Sequence, residues 1–144
     1  MLTVRLLCVG NLKEKYWRDA YAEYEKRLSR FCKLETVEIP ESNPEKEGSE
    51  ILKKISGYAV ALCIEGKELS STEFSALIEK KSFDFSKITF IIGGSDGLSQ
   101  AVKNAAAFKF SFSPMTFPHQ LMRVLFAEQL YRAFTISNNI TYHK

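Results

Sequence analysis

Short apolar runs rich in β-branched residues alternate with amphipathic segments along the whole chain. This alternation is typical of an α/β domain with a mostly parallel sheet. No internal repeat, linker or low-complexity segment interrupts it, so we interpret residues 1–144 as a single domain. The pattern predicts strands at Thr3–Val9, Leu34–Ile39, Ala59–Ile64, Ile88–Ile92 and Phe108–Phe112.

Helices are predicted where apolar side chains recur every three or four residues. One such stripe begins at Trp17 and continues to Phe31, between the first two predicted strands. Further along, Ser70 and Glu73 have the spacing of a helix cap that leads into Phe74–Lys80.

A polar segment, Ser42–Gly48, follows the second predicted strand. It contains Pro44, and proline among short polar residues is typical of turns. We therefore predict a surface loop over this segment.

The last predicted helix, from about Pro118 to Ile136, is apolar on more than one face. At about 100° per residue its apolar side chains cover well over half of the circumference. The core of a small domain covers one face, so we expect a partner subunit to cover another. A central core helix in a monomer is the alternative.

Composition and charge narrow the possible classes of protein. The net charge of +3 is too small for a protein that binds nucleic acid over its whole surface, so any RNA contact would use a local patch. No apolar run approaches the roughly 18 residues of a membrane span, and the first residues resemble a strand rather than a signal peptide. Cys8, Cys32 and Cys63 lack metal-site spacing, so we expect reduced thiols, a cytoplasmic protein and no metal.

A glycine-rich run, Gly93–Gly97, follows the fourth predicted strand. Glycines allow the backbone to approach a ligand and to expose N–H groups at the start of a helix. The run is neither a GxGxxG fingerprint nor a Walker loop. By itself it fits a ligand-binding loop and a plain tight turn about equally well.

A second loop, Ser111–Gln120, leads into the last helix and carries Met115 and Phe117. Apolar side chains in a connecting loop are costly unless they cover something. They either pack onto the core or line a pocket for a flat aromatic group such as adenine.

Arg123 shares the most apolar stripe of the last helix with Ala127, Leu130 and Phe134. A guanidinium in such a place requires an anionic partner. Glu128, five residues further on, is poorly aligned with it, although another acid could serve. We favour a phosphate or substrate group over a structural partner.

The chain ends in Tyr142, His143 and Lys144. These residues supply an aromatic face, a titratable imidazole and a cation. By composition alone, a frayed end is the better interpretation.

Taken together, these segments resemble the family of SPOUT methyltransferases that modify the N3 ring nitrogen of a pseudouridine in large-subunit ribosomal RNA. Each motif alone is weak, but the combination is specific and covers essentially the whole chain. One departure is Cys63, where many relatives carry Asp. The similarity is carried by Val9-Gly10, Leu62–Lys67, Ile92–Leu98, Ser113–His119, Arg123, Glu128–Ala133 and Tyr142–Lys144.

The resemblance implies an α/β fold of SPOUT type, with a mostly parallel sheet flanked by helices. Its C-terminal part would form a deep trefoil knot, a rare exception to the rule that chains avoid knots. The resemblance also implies S-adenosyl-L-methionine as cofactor, a homodimer packed through the last helix, and a stem-loop of 23S ribosomal RNA in the assembled ribosome as substrate. A SPOUT methyltransferase that acts on transfer RNA and a non-catalytic ribosome-binding assembly factor are the alternatives.

Site residues are carried over from the family position by position. Arg123 is expected to hold the base or a phosphate, while Tyr142 and His143 shape the pocket for the target base. His143 is the candidate general base, and His119 beside the cofactor loop is the competing imidazole. The cofactor-binding positions are Leu62, Gly94, Phe112, Ser113, Pro114, Met115, Thr116, Phe117 and Pro118.

Overall fold

The computed structural model describes residues 1–142, so the predicted site residue His143 and its neighbour Lys144 lie outside the described residues. Strands and helices alternate strictly within this range. They are β1 (Thr3–Val9), α1 (Lys15–Leu28), β2 (Lys33–Ile39), α2 (Pro44–Lys54), β3 (Tyr58–Glu68), α3 (Ser71–Ser82), β4 (Lys87–Ile92), α4 (Gln100–Ala105), β5 (Phe108–Ser111) and α5 (His119–Ser137).

The five strands form one sheet in the order β2-β1-β4-β3-β5, and every neighbouring pair is parallel. The predicted α/β class is therefore confirmed. Because the strands are parallel, their carboxyl ends meet at one edge of the sheet. The trefoil knot stays a prediction from the resemblance.

Helices cover both faces of the sheet, because successive side chains of each strand point to opposite faces. On one face, α1, α3 and α5 pack over a large apolar cluster that includes Leu6, Phe90 and Phe126. On the other face, α2 and α4 cover a smaller cluster that includes Leu7 and Ile91. Burial on both faces explains why the strands are nearly continuous apolar runs.

The loop predicted over Ser42–Gly48 is wrong, because α2 begins at Pro44. The Asn43 side chain accepts a hydrogen bond from the backbone N–H of Lys46 at 2.9 Å and so caps the helix. Pro44 occupies the first turn, where its missing N–H removes no helical hydrogen bond. The same residues that suggested a loop are the start signal of a helix.

Helix α5 lies against α1 and α3 with one face, while another face stays partly exposed. Phe126 and Leu130 are fully buried within the chain. By contrast, Leu121, Leu125 and Ile136 are half-buried and lie outside the apolar clusters. The helix therefore has the two apolar faces that its sequence predicts. Within residues 1–142, no helix combines the length and apolarity needed to cross a membrane.

Candidate active site at the carboxyl edge of the sheet

A cavity of about 710 Å³ opens at the carboxyl ends of β3, β4 and β5. This edge is where open parallel sheets bind their ligands. Of the nine predicted cofactor-binding residues, Pro114 alone does not line the cavity. The other eight come from three separate chain segments, which the fold brings together.

The glycine-rich turn after β4 forms one wall of the cavity. It is closed by the Gly97 N–H, which donates to the Gly94 carbonyl at 3.0 Å, and Gly97 has a φ of +78°. A Cβ on Gly93 would lie 2.9 Å from the carbonyl carbon of Gly97, and a Cβ on Gly94 would lie 3.0 Å from Val9 Cγ1. The backbone of the turn is thus crowded at Gly93 and leaves little space for a side chain at Gly94, and both glycines present bare backbone to the cavity.

A bulge in β3 forms the opposite wall. Leu62 and Lys67 both pair with Phe110 of β5, so the four residues between them leave the ladder. Gly66 lies so close to β5 that a Cβ there would be 2.6 Å from the Phe110 nitrogen. The bulge brings Glu65 to the cavity.

An ion pair crosses the cavity wall from α4 to this bulge. The Nζ atom of Lys103 lies 2.5 Å from the Oε1 atom of Glu65. This hydrogen bond lowers the pKa of the Glu65 carboxyl group, so the carboxylate is charged at neutral pH. Both residues line the cavity, and neither is among the predicted site residues, because nothing in the local sequence pattern pairs them.

His119 begins α5 and also lines the cavity. Its Nε2 atom is buried and has no hydrogen-bond partner among the residues that the structure describes. The Oε1 atom of Glu41 lies 3.7 Å away, which is beyond hydrogen-bonding distance. A buried nitrogen without a partner is costly, so it is available to a group bound in the cavity.

Arg123 is buried, with 3% of its surface exposed, and it does not line the cavity. Its NH1 atom donates to Glu38 Oε2 at 2.7 Å, and its NH2 atom donates to the Gly10 carbonyl at 2.9 Å. The anionic partner that its position demands is therefore a carboxylate of the protein itself, at the end of β2. A catalytic role for Arg123 stays a prediction.

The loop between β1 and α1 is held by other side chains as well. The Lys13 N–H donates to the Gln120 side chain of α5 at 2.8 Å. Arg18 donates to the carbonyls of Leu12 and Lys13 at 3.1 and 2.7 Å. The first turns of α5 thus connect the cavity wall with this loop.

Tyr142 lies against the C-terminal half of α5, away from the cavity. Its hydroxyl donates to Glu128 Oε2 at 2.9 Å, and its ring packs edge-on against Tyr131 with centroids 4.9 Å apart. Burial, reinforced by the hydrogen bond to Glu128, raises the pKa of Tyr142. Met122 is the last residue of α5 that lines the cavity, and at 1.5 Å per residue Glu128 is about 9 Å further along the helix. Tyr142 therefore lies outside the cavity of its own chain.

The fold and the site define an α/β protein with a cavity at the carboxyl edge of a parallel sheet. A family model described as predicted SPOUT methyltransferase matches residues 2–143. The chain belongs to the SPOUT methyltransferase family, as the resemblance predicted.

Relatives named ribosomal RNA large subunit methyltransferase H match over their full length. The protein from Fusobacterium nucleatum is 46% identical over an alignment of 155 positions, gaps included, which covers 99% of this chain and 100% of the relative. The protein from Limosilactobacillus reuteri is 49% identical over an alignment of 159 positions, with 99% and 100% coverage. The protein from Caldicellulosiruptor saccharolyticus is 45% identical, with 98% and 99% coverage.

Among solved structures, a probable methylase family protein from Haemophilus influenzae has a similar fold. The TM-score is 0.61, and the match covers 98% of this chain and 70% of the other. The sequences are 13% identical, so this likeness supports the fold alone.

Proposed function

We propose that this protein uses S-adenosyl-L-methionine to methylate the N3 ring nitrogen of a pseudouridine in a stem-loop of 23S ribosomal RNA, in the assembled ribosome. The observation that carries the proposal is the similarity to ribosomal RNA large subunit methyltransferase H, at 46 and 49% identity over 100% of each of two relatives.

The cavity suits this cofactor. Its volume of about 710 Å³ lies in the usual range for small-molecule sites. Leu62 and Phe112 supply apolar surface for a flat adenine, and the turn at Gly94 supplies backbone hydrogen-bonding groups. The unpartnered His119 Nε2 offers one more polar contact. When bound, the cofactor supplies a methyl group on a sulfonium.

The protein's own residues have to position the base and help it to lose a proton. The nitrogen must approach in line with the transferred methyl group, so positioning supplies much of the catalysis. The N3 proton must leave at or before attack, and His143 is the candidate base. Arg123 acts as a positioning residue in this proposal, because its guanidinium is already bound to Glu38 and Gly10.

The site is completed by a second subunit in this proposal. Within one chain, the Tyr142 hydroxyl is bound at Glu128, about 9 Å along α5 beyond Met122 of the cavity wall. A homodimer packed through the half-buried face of α5 would let the tail of one subunit reach the cavity of its partner. Tyr142 and His143 would then surround the target base, and Lys144 would contact phosphate.

A chain that ends at Ser137 tests the proposal. We expect it to stay folded, to form a dimer and to bind the cofactor, because none of residues 138–142 belongs to the two apolar clusters of the core. Methylation of ribosomes should be lost, and the pair Tyr142→Ala with His143→Ala should have nearly the same effect. Transfer of labelled methyl groups to ribosomes, free ribosomal RNA and transfer RNA is the measurement.

Thr141→Ala is the matched control, because Thr141 is an exposed residue of the same tail. It should methylate ribosomes at the normal rate. Normal activity of the truncated chain would show that the tail is only a chain end and would move the catalytic assignment to His119, with Arg123 still as a positioning residue. Transfer RNA as the preferred acceptor, or cofactor binding without methylation of any RNA, would support one of the two alternatives instead.

A further inference from the structure

The cavity contains one pair of opposite charges in an otherwise neutral lining. Among the described residues that line it, Glu65 and Lys103 are the only carboxylate and the only lysine or arginine. The remaining lining is apolar side chains, backbone, hydroxyl groups, a thiol and the imidazole of His119. The pair is therefore where a charged part of a ligand would bind.

The geometry of the pair leaves it open to a ligand. Lys103 is largely covered, with 23% of its side chain exposed, whereas 52% of the Glu65 side chain is exposed. The ammonium group of Lys103 has three N–H donors, and the contact with Glu65 Oε1 uses one of them. A pair this exposed contributes little to stability, so changing it should leave the fold intact.

The charges also restrict the class of ligand. Because the pair is neutral overall, an anionic group bound to it, such as a phosphate, would leave Glu65 without a counter-charge. A zwitterion does not, since each of its charges meets an opposite one. The α-amino-acid end of S-adenosyl-L-methionine is such a zwitterion, and its adenosine part is uncharged. The sulfonium between the two parts carries one further positive charge, which is lost with the methyl group, so S-adenosylhomocysteine carries the zwitterion alone.

We propose that Lys103 binds the α-carboxylate of the cofactor's amino-acid end and that Glu65 accepts hydrogen bonds from its α-ammonium group. This inference rests on the proposed function, because it names how the same site takes its cofactor. The pair then fixes one end of the cofactor between α4 and the bulge of β3. Adenine occupies the apolar remainder of the cavity.

The competing interpretation is that the Glu65 carboxylate accepts hydrogen bonds from ribose hydroxyls. Two ligands separate these possibilities. S-adenosylhomocysteine carries the amino-acid end, whereas 5′-methylthioadenosine keeps the adenine, the ribose and the thioether but lacks that end. Loss of a contact with the amino-acid end lowers the affinity for S-adenosylhomocysteine only.

Calorimetric titration of Lys103→Met and Glu65→Gln with both ligands is the test. We expect each substitution to weaken S-adenosylhomocysteine binding about ten- to a hundredfold, the usual range for a charge-assisted hydrogen bond. The affinity for 5′-methylthioadenosine should stay within about twofold of that of the unmodified chain. Circular dichroism establishes that each variant is folded.

Lys53→Met and Glu50→Gln are the matched controls, because they break an ion pair of 3.1 Å on the surface of α2. They should leave both affinities unchanged. Equal losses for the two ligands, or no loss for either, would overturn the assignment of the pair while leaving the proposed function intact. An unmodified chain that binds neither ligand would overturn the proposed function and, with it, this inference.

Discussion

Arg123 shows how its surroundings determine what a charged residue does. Its place on the apolar face of α5 indicated an anionic partner, and Glu38 at the end of β2 is that partner. A lone buried guanidinium would be strongly unfavourable, but this one donates to a carboxylate and to the Gly10 carbonyl. The position of Arg123 in the sequence predicted that it needs an anionic partner, but it did not predict that this partner is Glu38.

Replacing Arg123 with Met should lower the free energy of unfolding by about 2–3 kcal/mol, because the buried Gly10 carbonyl loses its donor and Glu38 loses its cation. Arg18→Met is the control. Arg18 also donates to loop carbonyls, but it is exposed, so water can replace it and the cost should stay below about 1 kcal/mol. Urea unfolding measures the free energy of unfolding of both variants. Equal losses of stability would show that burial does not make the Arg123 contacts more important than those of Arg18.

The three cysteines should differ in reactivity. Burial raises the pKa of the Cys8 and Cys32 thiols to about 12, and both side chains are inaccessible. Cys63 is half-buried in the cavity wall, and burial raises its pKa as well. Because only the thiolate is nucleophilic, alkylation should be slow at pH 8 and faster as the pH rises toward the pKa.

Mass spectrometry after iodoacetamide treatment at pH 8 should find Cys63 modified first. S-adenosylhomocysteine should slow this reaction, since the thiol lines the cavity. If Cys8 or Cys32 were labelled as fast as Cys63, the core would have to open easily.

Capping decides where α2 begins. Proline and asparagine occur both in turns and at helix starts, so Asn43 and Pro44 alone do not distinguish the two. The structure does, because Gly48 and Ile51 are buried against the sheet and α4. In contrast, Ser70 and Glu73 form the predicted capping box, whose reciprocal side-chain bonds make it a more specific signal.

Asn43→Ala should therefore reduce stability by about 1 kcal/mol, since the Lys46 N–H loses its acceptor. Ser42→Ala, at the exposed neighbouring position, should change stability by less than about 0.5 kcal/mol. Chemical denaturation of both variants compares them. If the two had the same effect, the Asn43 side chain would not be the cap.

At the scale of the whole molecule, α5 carries two apolar faces with different roles. Phe126 and Leu130 face the core of their own chain, so replacing either by Glu should unfold the protein rather than report on assembly. Leu121, Leu125 and Ile136 form the half-buried face available to a partner subunit.

Leu125→Glu should give a folded monomer at micromolar concentration, while the unmodified chain is a dimer, because a charge on this face opposes its burial between subunits. Leu52→Glu, on an exposed site of α2, is the control and should remain a dimer. Light scattering gives the masses. A well-folded monomer for the unmodified chain would defeat the dimer and the shared active site.

The sequence by itself determined the features that depend on residues close together along the chain. Short apolar runs and helical patterns placed β1 and α5 almost at their observed bounds, and the combined motifs identified the family. The tertiary structure alone decided which distant residues meet. The order of the strands decides which strand ends share an edge. It therefore decides the cavity, the contact of Arg123 with Glu38 and the pair of Lys103 with Glu65. Local periodicity records whether a side chain is buried, but not which partner it meets there.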